Sequence, residues 1–159
     1  MIRGLIVLAA CGLVACGDGD SESDEPATAT PKTEVRAHAA GTRITLRDSE
    51  FGQMLWGTGP QAIYIFERDE DERSRCYGAC AGAWPPVFAK KGGPVAGDGV
   101  KKRLLGTTQR RGGRRQVTYA GKPLYYYAHE GRREVLCHDV FLNGGYWWAV
   151  GRDGKRRPS

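Results

Sequence analysis

The sequence predicts a mainly β domain made of two divergent β-repeats packed with pseudo-two-fold symmetry, with one short helical turn near Cys76 and Cys80. Three observations lead there. From Gly41 onward the apolar residues come in short runs rich in β-branched and aromatic side chains, which suit a pleated, half-buried surface. No window offers an amphipathic helix of ten or more residues. And Ile63-Tyr64-Ile65-Phe66-Glu67-Arg68-Asp69 is echoed by Leu124-Tyr125-Tyr126-Tyr127-Ala128-His129-Glu130 at an offset of 61, which also carries Cys76 onto Cys137. Each half then reaches tryptophan, at Trp84 in the first and Trp147-Trp148 in the second. Neither half alone has enough apolar surface to bury a core.

The elements follow in order. Thr42 to Arg47 alternates polar and apolar residues, the pattern of a half-buried strand. Gln53 to Trp56 and Ala62 to Phe66 are strand-like, separated by the turn cluster Gly57-Thr58-Gly59-Pro60. Within the second of these, Tyr64 and Phe66 point to one face and Ile63 and Ile65 to the other, so both faces are apolar and the strand is expected to be central. Asp69 falls just past it, where a carboxylate accepts backbone N–H bonds and fixes a turn. Ser74 to Ala83 is the best short-helix segment, with Pro85-Pro86 as its stop. Leu104-Leu105, Gln116 to Tyr119, Pro123 to Tyr127 and Tyr146 to Val150 complete the strands, with a turn at Ala120-Gly121-Lys122.

The N-terminus reads as an address. Arg3 precedes an apolar run from Leu5 to Ala15, too short for the ~20 residues that span a bilayer and suited to a secretory signal peptide. Leu13-Val14-Ala15-Cys16 resembles the lipobox of bacterial lipoproteins. Residues 1–15 are then the signal peptide, and Cys16 is the lipidated residue that anchors the chain to the cell membrane or envelope. Two acyl chains anchor stably where one is marginal. Residues 16–40 are the lipidated Cys and an acidic tether without large apolar side chains beyond Val35, expected to be disordered with a reach of about 25–30 Å. Residues 41–153 form the β-repeat domain and 154–159 a basic tail. The 159-residue chain has a net charge of +6, yet residues 41–159 hold 21 Lys and Arg against 12 Asp and Glu. That balance suits an anionic envelope polymer or an envelope protein as partner. No nucleic-acid motif accompanies the basic clusters, so none is expected as partner.

Tyr64-x-Phe66-x-x-Asp69, the segment Ser74 to Pro86 and the segment Gln116 to Tyr127 resemble a family of predicted bacterial lipoproteins with a Tyr-x-(Phe/Trp/Tyr)-x-x-Asp motif, also described as a secreted repeat of unknown function. The resemblance runs over about residues 43–150. The second copy, Tyr125-x-Tyr127-x-x-Glu130, departs from it by ending in Glu. The family carries no settled activity, so the resemblance implies location and architecture, not chemistry. It also favours a Cys76–Cys80 disulfide.

The residues themselves leave the cysteines open. With Cys16 lipidated and Cys11 removed, Cys76, Cys80 and Cys137 remain, and the exported compartment is oxidising. A Cys76–Cys80 ring contributes about 2 kcal/mol by loop entropy and requires a turn, whereas a bridge from Cys80 to Cys137 would contribute roughly 4 and tie the halves together. Alternatively, Cys76, Cys80, Cys137 and His138 make a soft-ligand set that suits copper or zinc, which would make the protein a copper- or redox-handling lipoprotein. No cofactor is otherwise called for. Asp69 and Glu130 are a candidate carboxylate pair for an envelope hydrolase, although no nucleophile elbow, phosphate loop or zincin helix is present. The remaining reading is non-catalytic: a module that binds or organises a component of the envelope, with Tyr126, Trp147 and Trp148 as the expected binding surface.

Overall fold

The computed structural model describes residues 41–159. The signal segment 1–15, Cys16 and the tether to residue 40 lie outside the described residues. The domain is mainly β, with strands β1 (Thr42–Arg47), β2 (Met54–Trp56), β3 (Tyr64–Phe66), β4 (Pro94–Ala96), β5 (Leu105–Gln109), β6 (Arg115–Tyr119), β7 (Lys122–Pro123), β8 (Val140–Leu142) and β9 (Gly145–Ala149), and one short helix, α1 (Ala79–Ala83). They form three small sheets in the orders β2-β1-β4, β3-β9-β8 and β5-β6-β7. All strand pairs are antiparallel except β1 with β4.

The strand alternation read from the sequence sorts the core into two clusters. From β2 and β3, Met54, Trp56, Tyr64 and Phe66 enter an aromatic cluster with Trp84, Tyr125 and Trp147. Leu55, Ile63 and Ile65 enter an aliphatic cluster with Ile44, Val87, Val117, Leu124 and Val150. β3 is the edge strand of its sheet rather than the expected central one, but its free side is covered at Tyr64, which pairs with Ala149 of β9 on one side and bridges Tyr125 on the other. That last pair exchanges both backbone hydrogen bonds, each 2.9 Å.

Other contacts run in both directions between the halves. Leu55 N–H donates to Val150 O and Val117 N–H to Val87 O, both at 2.8 Å. Glu67 N–H donates to Tyr146 O and Ala128 N–H to Ala83 O, both at 2.9 Å.

Two elements differ from expectation. The helix is confined to Ala79–Ala83, whereas Ser74 to Gly78 is not helical. Gly78 precedes it at φ 57° and ψ −130°, a conformation open chiefly to glycine, and Ser74 Oγ accepts the Cys76 N–H at 3.2 Å, which holds the approach in a local turn. Pro123 to Tyr127 is not one continuous strand: ladder pairing stops at Pro123, and Tyr125 instead bridges Tyr64 and Pro86. The basic tail packs back onto the domain. Arg156 bridges Val150, Arg157 N–H donates to Ala149 O at 2.9 Å, and Arg157 Nε donates to Phe51 O at 2.9 Å.

Candidate functional site

The motif residues of the two repeats meet at the centre of the aromatic cluster, and they do so crosswise. The Tyr64 hydroxyl donates to Glu130 Oε1 at 2.5 Å, and the Tyr125 hydroxyl donates to Asp69 Oδ2 at 2.8 Å. Each acid also accepts a backbone N–H six residues on: Asp69 from Arg75 at 2.7 Å, Glu130 from Leu136 at 2.5 Å. The acids are therefore turn clamps that also receive a phenol from the opposite half. Asp69 fixes the turn containing Asp71 and Glu72, whose φ values are 49° and 60°.

Burial raises the pKa of both acids. Asp69 is pushed up from 3.8 to about 6, with the Arg75 N–H, the Tyr125 hydroxyl and the Arg110 charge opposing the rise. Glu130 is raised by desolvation against the lowering effect of Tyr64 and Leu136, and its Oε2 has no hydrogen-bond partner among the described residues. Tyr64 and Tyr125 are raised as well, first by burial and then by their acid partners. Both carboxylates are engaged by structural donors, Glu130 in the core and Asp69 at its partly exposed margin. In the candidate hydrolytic pair Asp69 is partly exposed, but Glu130 is only 6% exposed and lies behind the fully buried Tyr64.

The rings around them form a stack. Trp84 and Trp147 lie face to face, 3.8 Å between centroids and 1° apart in plane. Phe66 stacks on the outer face of the pair at Trp147 and Tyr127 packs against Trp84. Tyr64 and Tyr125 meet the two indoles edge-on at 5.4 and 5.2 Å. Such geometries each contribute about 0.5–1.5 kcal/mol beyond area burial. Trp147 is thus fully buried, which corrects its assignment to a binding surface. β9 alternates, and Trp147 opposite Phe66 takes the inward side.

The outward side of the same strand carries Tyr146, 39% exposed, and the half-buried Trp148. Across the ladder, Phe141 pairs with Tyr146 and is 61% exposed. The ring centroids run Phe141 to Tyr146 at 5.2 Å and Tyr146 to Trp148 at 5.6 Å. The Arg156 guanidinium lies 4.3 Å over Trp148, and Lys122 and Lys155 help line a groove of about 380 Å³ beside it. Sequence reading named Trp148 but missed Tyr146 and Phe141. Strand alternation would have supplied Tyr146 once Trp147 was placed inward; Phe141 gave no signal, because β8 is too short for its period to show. Tyr126 does not join this row. Both it and Trp148 pack on the aliphatic cluster, but the Tyr126 ring lies against Gly57, away from the row, where an added Cβ would sit 2.1 Å from the phenol oxygen.

Cys76 and Cys80 form a disulfide with Cα atoms 5.3 Å apart, and Cys137 is a buried free thiol. The alternative bridge to Cys137 is therefore not formed. The turn at Gly78 is what brings Cys76 within reach of the first turn of α1. His138 uses both ring nitrogens on backbone groups: Nδ1 lies 3.2 Å from Ala149 N–H and must accept, so Nε2 donates to Pro158 O at 2.9 Å. Among the described residues no group of three or more His, Cys, Asp and Glu side chains is placed to hold a metal ion. The soft-ligand set of Cys76, Cys80, Cys137 and His138 is thus divided between a disulfide, a buried thiol and a histidine that clasps the tail.

Residues 45–88 match the family model of a secreted repeat of unknown function. The match covers the first repeat from β1 to the segment after Trp84, including Tyr64, Phe66, Asp69 and the disulfide. No curated protein and no solved structure matches the chain. Among the described residues no helix is long and apolar enough to cross a membrane.

Proposed function

We propose that the protein is an exported lipoprotein, anchored through Cys16, whose β-repeat domain is a non-catalytic module that binds a sugar-bearing polymer of the cell envelope. The observation that carries this reading is the outward row Phe141, Tyr146 and Trp148, flanked by Arg156, Lys155 and Lys122. Four large hydrophobic side chains stand exposed among the described residues, and all fall between Leu136 and Tyr146. Flat rings at a surface offer stacking area with little side-chain entropy to lose, and a rim of three cations and one acid, Glu67, suits a polymer with anionic groups. The match to a secreted family supports export, and the crosswise clamping of Asp69 and Glu130 accounts for both acids without a reaction.

The test is sedimentation of the mature protein with purified envelope polysaccharide. Tyr146→Ala with Trp148→Ala should weaken binding at least tenfold while leaving the fold intact by circular dichroism. Binding unchanged by that pair, or absent from the wild type, overturns the reading. Anchoring is tested separately: Cys16→Ser should abolish incorporation of a labelled fatty acid and release the protein from membranes.

A further inference from the structure

We infer that a second site, a cleft of about 520 Å³ between the segment after β3 and the tip of the β5–β6 hairpin, binds the phosphodiester groups of a linear polyanion. Arg73, Arg75, Arg110 and Arg111 line it together with Tyr77 and Thr108, and no carboxylate is among its lining residues. The binding-module reading is not needed for this inference, which rests on a different face of the sequence and on different side chains.

Arg110 is held in place by neutral acceptors and by a ring. Arg110 and Arg111 both lie on the Tyr77 ring, 4.3 and 4.7 Å from its centroid. Two like charges share one ring face system there instead of separating into solvent. Arg110 is only 7% exposed. Its Nη1 donates to Ser74 Oγ at 2.5 Å and Gln116 Oε1 at 2.7 Å, and its Nη2 to Cys76 O at 2.5 Å. All three acceptors are neutral. Three of its five N–H bonds are thereby used, and the remaining two have no acceptor among the described residues. The nearest acid in this network, Asp69, is one step removed: it takes the Tyr125 hydroxyl, which contacts Ser74 Oγ at 2.7 Å. The single side-chain ion pair among the described residues, Arg75 with Glu70 at 3.1 Å, lies at the cleft margin and is largely exposed. Such a pair is worth little in water and yields readily to a ligand.

The turn adds to this. Arg110-Arg111-Gly112-Gly113-Arg114-Arg115 forms the hairpin tip, and of its four arginines Arg110 and Arg111 line the cleft. Gly112 and Gly113, both at φ 83°, close it, and Arg114 lies 3.3 Å over the Phe88 ring. A nearly buried, pre-oriented cation whose direct hydrogen-bond acceptors are all neutral, with Asp69 acting on it only at one remove, is stabilised by an anion that reaches it. Guanidinium forks match the two free oxygens of a phosphodiester in a bidentate manner. The recess of Arg110 below the rim favours a thin chain that can enter the cleft over a flat bilayer surface, which would meet the exposed Arg73, Arg75 and Arg111 but not Arg110.

The test uses the mature chain and a synthetic poly(glycerol phosphate) oligomer, with affinity followed by fluorescence anisotropy over a range of salt. Arg73→Ala with Arg111→Ala should raise Kd at least tenfold and lower the slope of log Kd against log salt by about 1.4, as two lost contacts require. Lys102→Ala with Arg103→Ala, which removes equal charge elsewhere, should change Kd less than threefold; an equal loss would reduce the effect to net charge and overturn the site. Polyglutamate binding as tightly as the oligomer would overturn phosphodiester selectivity. Vesicles of anionic phospholipid binding where the oligomer does not would overturn the cleft in favour of a bilayer surface. Tyr146→Ala with Trp148→Ala should leave oligomer binding intact, so failure of the aromatic row and failure of this cleft give different results.

Discussion

Tyr64 and Tyr125 each have one hydroxyl proton to give, and each gives it to an acid of the opposite repeat. Removing a donor leaves a buried carboxylate short of a partner, which costs about 1–3 kcal/mol. Tyr64→Phe and Tyr125→Phe should each lower stability by that amount in denaturant titrations. The crossing of partners makes a sharper expectation. Tyr64→Phe with Glu130→Gln should show coupling of about 1 kcal/mol or more, and Tyr64→Phe with Asp69→Asn should be additive within about 0.5. The reverse pattern would mean that each tyrosine serves its own repeat. The acids also set a pH dependence. Folding raises the Asp69 pKa from 3.8 to about 6, so between those values the folded chain carries a proton that the unfolded chain has lost. The stabilising contribution is complete below about pH 3.8 and disappears as pH rises through 6. Glu130 shifts in the same direction. Melting temperature attributable to these groups should therefore rise on going from pH 7 to pH 5, and Asp69→Asn with Glu130→Gln should flatten that rise.

At the scale of the element, β9 separates stability from recognition within three consecutive residues. Trp147 sits in the four-ring stack and is fully buried, whereas Tyr146 and Trp148 face outward. Trp147→Ala should cost about 3–5 kcal/mol; Tyr146→Ala and Trp148→Ala should each cost at most about 1–2, measured by chemical unfolding. Equal losses at 147 and 148 would erase the distinction. The same strand shows what the sequence made legible. Alternation placed Tyr64 and Phe66 opposite Ile63 and Ile65, and the two clusters follow that division. It could not choose which of Trp147 and Trp148 turns inward, because adjacent tryptophans satisfy either register; the choice is made by pairing with Phe66 in β3. Helix extent was misread for a similar reason. Ser74 to Gly78 has acceptable helix composition, yet its backbone is fixed by the Ser74 hydroxyl and the positive φ of Gly78. The arginine cleft was visible only as scattered basic pairs, since nothing in the spacing of Arg73 and Arg110 announces that a hairpin tip brings them together.

For the whole molecule, the contacts that matter most cross between the halves. The backbone exchange of Tyr64 with Tyr125, the Trp84–Trp147 stack, the two phenol–acid bonds and the Leu55–Val150 and Val117–Val87 bonds each join residues before 100 to residues after it. The crossing means that each half, taken alone, exposes one indole face, one unpaired acid and the inner edge of a strand. A segment of about 60 residues buries only about 60% of its surface even when complete and is marginal on that account, and here each would lack its partner's side of both clusters. Residues 41–100 and 101–159 expressed separately should therefore show no near-ultraviolet circular dichroism and no cooperative thermal transition. Mixed at equal concentration, they should recover both signals with a midpoint that rises with protein concentration, because association and folding become one step. If either half alone melts cooperatively, the crosswise contacts are a docking of two finished units, and the clamps at Asp69 and Glu130 stabilise an interface instead of creating the fold.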